Sequence, residues 1–173
     1  VMHHSNSFTK DCLYFFIYYY LIMKKDIWGP CIWKTLHVLT VKIKEEYFQN
    51  QRQALLDIIH MICNHLPCPI CSSHAKGLLR RHNAKQIRTK EGLIKVIFTI
   101  HNEVNKRLKK PPYVYESLIS NYSSENTREV LNDYYEKNQK MKFGEKMMLY
   151  SFQRKLFLKE FKEYIQKSID YFD

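Results

Sequence analysis

Glycine and proline are scarce, at four and five among 173 residues. That is about half of ordinary usage. Turn-rich all-β folds depend on both, so the shortage excludes sandwiches and barrels and leaves helices as the expected elements. The chain also has no Gly-rich loop to cradle a phosphate, no internal repeat and no coherent Ser/His/Asp set, which removes nucleotide-loop, solenoid and triad chemistries. The cysteines are Cys12, Cys31, Cys63, Cys68 and Cys71. An odd count without regular spacing is not a small secreted disulfide scaffold and is compatible with a reducing compartment. A long apolar span is missing as well. The aromatic run over residues 13–23 falls short of the roughly 20 residues that cross a bilayer, and no small-residue cleavage site follows it. It reads as a helix packed on the domain or as sequence upstream of a start at Met23, and no transmembrane span is expected.

What is present suffices for one domain with an extension. Hydrophobic residues make up 45% and charged residues 26%, enough apolar material for a core and too little polar bias for disorder. Basic residues exceed acidic ones by 28 to 17, which raises nucleic acid or an anionic surface as a partner. The surplus is concentrated: residues 137–167 hold nine Lys or Arg against three Glu. Without an Arg-rich base-reading motif this stretch reads as the solvated face of a helix, and nucleic acid is not the favoured partner.

Asp26, Gly29 and Pro30 mark a helix entrance. The first core helix is expected to run to about residue 48, with Trp33, His37 and Val41 on one face. In this reading the polar stretch 49–53 ends it, and a second helix over about 54–66 turns Leu55, Ile58, Ile59 and Ile62 inward before Pro67 stops it. A third begins at Pro69, leaving Cys68 at its N-terminus. Thr89 caps a fourth, with Glu91 in its first turn and Ile94, Ile97, Phe98, His101, Asn105 and Leu108 on one face. Pro111 and Pro112 end that helix, and a short segment with Tyr113, Tyr115 and Leu118 follows. Residues 129–138 and 145–172 are helix-like, and Leu158, Phe161, Ile165, Ile169 and Phe172 make a stripe to be buried on the main domain or on a second chain. The expected fold class is all-α: a four-helix bundle core with a short fifth helix, plus a helical C-terminal extension.

Cys68 and Cys71 form a CxxC pair. Haem attachment needs His directly after the second cysteine, where this chain has Ser72. A structural zinc site usually draws on a second pair, which is absent downstream, although Cys63, His65 or His74 can complete a ligand set. Thiol exchange needs only a stabilised thiolate, which a helix N-terminus supplies. A dithiol alone passes electrons to oxygen poorly, so an oxidase also needs an electron-accepting cofactor. Spacing by itself leaves the zinc and redox readings open.

Three segments carry a family resemblance. Trp28-Gly29-Pro30-Cys31-Ile32-Trp33 with Leu36-His37 resembles the first helix of the Erv/ALR family of FAD-linked sulfhydryl oxidases. Leu66-Pro67-Cys68-Pro69-Ile70-Cys71 with His74 resembles its redox motif, and His101-Asn102-Glu103-Val104-Asn105, continuing to Lys110-Pro111, resembles its flavin-binding helix. The three stand in order within residues 26–122. The minimal single CxxC preceded by Leu-Pro is similar to forms encoded by large cytoplasmic DNA viruses, and the abundance of Lys, Ile, Asn and Tyr suits an AT-rich genome.

The resemblance implies an FAD-dependent thiol oxidase that forms disulfides in protein dithiols, a thioredoxin-like carrier among the candidate substrates. Electrons would pass through the CxxC to FAD and then to O2, giving H2O2, in a homodimer. It implies Cys68 and Cys71 as the catalytic pair, with Cys68 meeting substrate and Cys71 facing the flavin. Trp28, Gly29, Trp33, His37, His74, His101, Asn102, Val104, Asn105 and Lys110 are implied as cofactor-binding, with no metal. Taken singly, such a His or Trp is ordinary core material. Together they leave inward polar groups that a flavin can satisfy.

Departures from the family are equally specific. The two cysteines that staple the fourth helix to the following segment in many members fall here at Phe98 and Tyr115, where an aromatic contact is expected instead. No distal shuttle dithiol is visible, and Cys31 and Cys63 read as core thiols. The chain divides into an N-terminal aromatic segment (1–25), the oxidase-like domain (26–122) and a basic helical extension (123–173). Because every motif precedes Tyr122, a chain ending near residue 126 is expected to keep FAD and thiol oxidation. A viral source implies the host cytoplasm or the virion, and a cellular one the mitochondrial intermembrane space. The competing reading is a non-enzymatic helical zinc or nucleic-acid-binding module built on Cys68, Cys71, His74 and the basic C-terminus.

Overall fold

The computed structural model describes residues 25–141, 143 and 147–173, so the aromatic run, Cys12 and the expected helix start at 145 lie outside the described residues. The elements are α1 (Lys25–Lys42), α2 (Glu45–Asn64), α3 (Pro69–Arg81), a 3-10 turn (Ala84–Gln86), α4 (Lys90–Arg107), α5 (Tyr115–Ser123), α6 (Thr127–Gln139), α7 (Met148–Ser168) and a closing 3-10 turn (Ile169–Tyr171). There is no strand among the described residues. The all-α class, four core helices, short fifth helix and helical extension stand as expected.

α1 is the axis. Residues 35–43 are buried without a break, because α4, α5 and α6 all pack against α1. A helix enclosed on every side is apolar around its circumference, and its hydroxyls are satisfied locally: Thr35 Oγ1 donates to the Cys31 carbonyl at 2.9 Å and Thr40 Oγ1 to that of His37 at 3.0 Å. α2 carries α3 and α7 on its faces. The Thr89 cap is present, its hydroxyl accepting from the Gly92 N–H at 3.1 Å. Phe98 and Tyr115 meet edge to face, centroids 5.1 Å apart at 82°, so an aromatic pair does stand between α4 and α5, supported by Val41, Ile94 and Leu118 in a small second cluster.

Two expectations change. The first helix ends at Lys42 rather than near 48, and residues 49–53 lie inside α2. The break comes from tertiary pairing: Ile43 bridges Phe172, and the Lys44 N–H donates to the Tyr171 carbonyl at 2.9 Å. The polar stretch is the outer face of α2, where Gln49 and Arg52 donate to the Arg88 and Ile87 carbonyls. The second change concerns the extension. Leu131, Tyr134, Phe157, Leu158, Phe161, Ile165 and Phe172 belong to the main core cluster with Ile32, Leu36, Leu39 and Ile59. The C-terminal stripe is thus buried on the main domain, and its removal opens the core. Among the described residues no helix is long and apolar enough to cross a membrane.

Candidate functional site

Pro67 and Pro69 bracket Cys68, so neither neighbour offers an N–H and the chain must turn before α3 starts. Cys68 becomes the N-cap, and its Sγ accepts the Cys71 N–H at 3.3 Å. Both thiols are unbridged. The Cys71 side chain donates to Cys68 and, with the backbone N–H groups of Cys71 and Ile70 and the charge of Lys25, holds Cys68 down at about 6 against the cost of burial. Cys71 is pushed up, first by giving its proton to Cys68 and then by burial. Exposure runs against the implied role of Cys68 as the sulfur that meets substrate: Cys68 is 2% exposed and Cys71 half-buried. The capping geometry folds the Cys68 side chain back onto the helix and covers it. A cleft of about 560 Å3 runs beside the motif, walled by Pro69 and Ser72 of α3 and by Tyr150, Leu156 and Phe157 of α7.

A second constellation lies between α1 and α4. His37 Nε2 and His101 Nδ1 are 2.9 Å apart. Trp33 stacks on His101 with centroids 4.0 Å apart at 10°, while Tyr113 and Tyr122 stack on His37 at 6.0 and 4.9 Å. Burial pushes His37 down to about 3, with His101 adding to the effect, and burial pushes His101 down to about 4. Both imidazoles are therefore neutral at ordinary pH. A single ring proton links them. Among the described residues, His37 Nδ1 and Trp28 Nε1 are buried with no hydrogen-bond partner, and such atoms in a native interior call for an explanation.

The remaining candidates are less convergent. Gly29 faces open space, where a Cβ would meet nothing within 4 Å. Val104 packs on the main cluster and His74 is half-buried, its pKa lowered chiefly by that burial. Asn102 is spent on the fold: its amide donates to the Tyr113 carbonyl at 3.0 Å and accepts the Tyr113 N–H at 2.7 Å. Asn105 is half-buried, and its carbonyl accepts the Lys110 N–H at 2.9 Å. Lys110 Nζ pairs with Asp26 at 2.6 Å. Tyr113, Tyr122 and Tyr150 reach their sites from outside the three motifs, so no motif points to them.

Cys31 and Cys63 behave as core thiols. Burial raises them to about 11 and about 12. Cys68, Cys71 and His74 do not gather into a metal site, and no group of three or more His, Cys, Asp or Glu arranged to hold a metal ion exists among the described residues.

Comparison with known proteins gives the chain's relatives. The chain is 31% identical over 83 residues to the FAD-linked sulfhydryl oxidase of African swine fever virus (isolate Tick/Malawi/Lil 20-1/1983), covering 48% of this chain and 69% of that protein. It is 28% identical over 100 residues to the FAD-linked sulfhydryl oxidase ERV2 of Saccharomyces cerevisiae, covering 58% and 50%. It is 26% identical over 85 residues to that yeast's mitochondrial FAD-linked sulfhydryl oxidase ERV1, covering 49% and 44%. No solved structure matches. The sequence model of the Erv1/Alr family matches residues 30–126, a span holding the redox pair, the stacked imidazoles and Trp33, with Trp28 just before it. The chain belongs to the Erv1/Alr family.

Proposed function

We propose that this chain is an FAD-dependent thiol oxidase whose redox pair is Cys68 and Cys71. The observation that carries the reading is the dithiol at the start of α3, where Cys68 is the N-cap and its sulfur accepts the Cys71 N–H, an arrangement that lowers the Cys68 pKa. The names of the relatives, all FAD-linked sulfhydryl oxidases, support both the activity and the cofactor.

The interior fits a flavin. His37 Nδ1 and Trp28 Nε1 are buried polar atoms lacking partners among the described residues, and the Trp33–His101 stack is a flat aromatic wall. Trp28, Gly29, Trp33 and His37 would hold it from α1, His101, Asn102, Val104 and Asn105 from α4, with His74 and Lys110 at its margins; Asn102 would act by fixing Tyr113. When bound, FAD supplies the two-electron acceptor that allows a dithiol to reduce O2 to H2O2.

The chain's own part is thiol–disulfide exchange. A substrate thiolate attacks one sulfur of the Cys68–Cys71 disulfide, and the other leaves with the electron pair as a thiolate. The second substrate thiolate then attacks the mixed disulfide, so the substrate departs oxidised and both cysteines are left reduced. The family resemblance makes Cys68 the sulfur attacked. A specific observation favours the converse order: Cys71 is the more exposed sulfur, and the Cys71 N–H at the start of α3 is placed to stabilise Cys68 as the departing thiolate. The viral relatives favour work in the host cytoplasm or virion, and the family favours a homodimer that accepts protein dithiols.

The purified protein should be yellow with flavin absorption bands, and should consume oxygen when given dithiothreitol, yielding one peroxide per disulfide formed. A colourless, zinc-containing protein without thiol-dependent oxygen uptake overturns the reading.

A further inference from the structure

The turn that presents the redox pair is held by a residue from the far end of the chain. The Leu66 N–H donates to Ser72 Oγ at 3.0 Å, the Tyr150 hydroxyl donates to the Leu66 carbonyl, and Ser72 Oγ lies 3.0 Å from Tyr150 Oη. Each hydroxyl owns one proton. Tyr150 gives its proton to Leu66, so the contact between the hydroxyls has Ser72 as donor and Tyr150 as acceptor. The result is a closed ring in one direction, from Leu66 N–H to Ser72, Ser72 to Tyr150, and Tyr150 back to the Leu66 carbonyl. Hydrogen bonds arranged in this way polarise one another.

The ring brackets the motif from both sides. Leu66 stands two residues before Cys68 and Ser72 directly after Cys71. Pro67 has no N–H, so Leu66 carries the last backbone donor before Cys68 by which the turn can be held. A second tie, from the Ser72 N–H to the Cys68 carbonyl at 3.0 Å, fastens the same residue to the first turn of α3. Leu66 and Ser72 are 7% and 3% exposed, so bulk water does not replace a lost partner there.

We infer that Tyr150 is a positioning residue for the redox pair: through the Leu66–Ser72–Tyr150 ring it fixes Cys68 at the N-cap of α3, where its sulfur accepts the Cys71 N–H. This rests on the reading of Cys68 and Cys71 as the redox centre. Tyr150 lies beyond residues 30–126, the span that matches the family, so the extension contributes to the site as well as to the core.

The test uses the full chain as purified, reduced and assayed under argon. Iodoacetamide alkylation of Cys68, followed by peptide mass mapping from pH 4 to 9, gives the pH midpoint of its thiolate. Tyr150→Phe keeps the ring packed and removes only the hydroxyl. It should move the Cys68 midpoint upward and slow alkylation at pH 5, below the midpoint, by about fivefold, the scale set by one lost hydrogen bond. Ser72→Ala opens the same ring from the other side and should produce the same shift. The double variant should add nothing further, because a broken ring cannot be broken twice. A midpoint unchanged in Tyr150→Phe, or fully additive shifts, overturns the inference. Should Tyr150→Phe not fold, an unchanged midpoint in Ser72→Ala overturns it equally. Alkylation reads the thiolate without oxidase turnover, so a wild-type protein lacking flavin and oxygen uptake sinks the oxidase reading and leaves this measurement standing.

Discussion

Acidification should destabilise this protein through two imidazoles that the fold keeps neutral. Unfolded, His37 and His101 take up a proton near pH 6.5; folded, burial delays this to about 3 and about 4. Below pH 6.5 the unfolded state therefore binds more protons than the native one, and stability falls with pH until the folded groups themselves titrate. At pH 5 the deficit spans about 1.5 pH units for each imidazole, or about 2 kcal/mol apiece. His101, 8% exposed against 0% for His37, contributes less than the full amount. A combined loss of about 3 kcal/mol between pH 8 and pH 5 is a large share of the roughly 5–15 kcal/mol that holds a domain together. Urea unfolding followed by circular dichroism at the two pH values measures it. His37→Phe, which keeps an aromatic ring between Tyr113 and Tyr122, separates this pair from His60, His65 and His74, whose pKa values burial also lowers. The variant should lose about 2 kcal/mol less on acidification than the wild type. Equal losses in the two proteins, or a wild-type loss below about 1 kcal/mol, would refute the reasoning.

Single serine substitutions at Cys68 and Cys71 should each abolish thiol-dependent oxygen uptake while flavin stays bound. A long-wavelength band from a thiolate beside the flavin in Cys68→Ser alone supports Cys71 as the flavin-facing sulfur, and the band in Cys71→Ser alone supports the converse order. A chain ending at residue 126 should fail to give a cooperative thermal transition or retain flavin. It forfeits Tyr134, Phe157, Phe161 and their neighbours from the core, each worth about 1.5–3 kcal/mol; a sharp transition in that truncation would contradict the packing. Phe98→Leu should cost about 1 kcal/mol from the lost edge-to-face pair. In a double-mutant cycle with Tyr115→Leu, a coupling energy indistinguishable from zero would remove the pair from the list of stabilising contacts.

The helices were legible because local chemistry announces them: Pro69 and Cys68 open α3, Thr89 caps α4, and the apolar stripe through Phe161 and Ile165 has helical spacing. The α1–α2 break was not legible, since it is made by Ile43 pairing with a residue far along the chain. Charge misled in one place. Arg154, counted with the solvated basic face, is 2% exposed, donates to Asn138 Oδ1 at 2.6 Å and sits 5.2 Å from the Phe143 ring. At the site, motif residues Trp33, His37 and His101 do converge, whereas Asn102 turns to the Tyr113 backbone, a partner that helix periodicity gives no means of foreseeing. Tyr150 escaped notice for the same reason: its partners Leu66 and Ser72 are neighbours only in the folded chain.

The clasp between Phe172 and Ile43 bears on how the molecule is made. Synthesis runs from the N-terminus, so α1 and α2 leave the ribosome long before the backbone that seals their junction, where Lys44 donates to Tyr171 and Asp173 to the Lys42 carbonyl. Contacts of such sequence separation form late and slowly, and until they do the seam beside Ile43 is exposed on a nascent chain. Completion of the fold accordingly waits for the segment that carries Tyr171 and Phe172. At high expression the waiting seam is open to the same C-terminal segment of another copy, which is the route to a domain-swapped dimer.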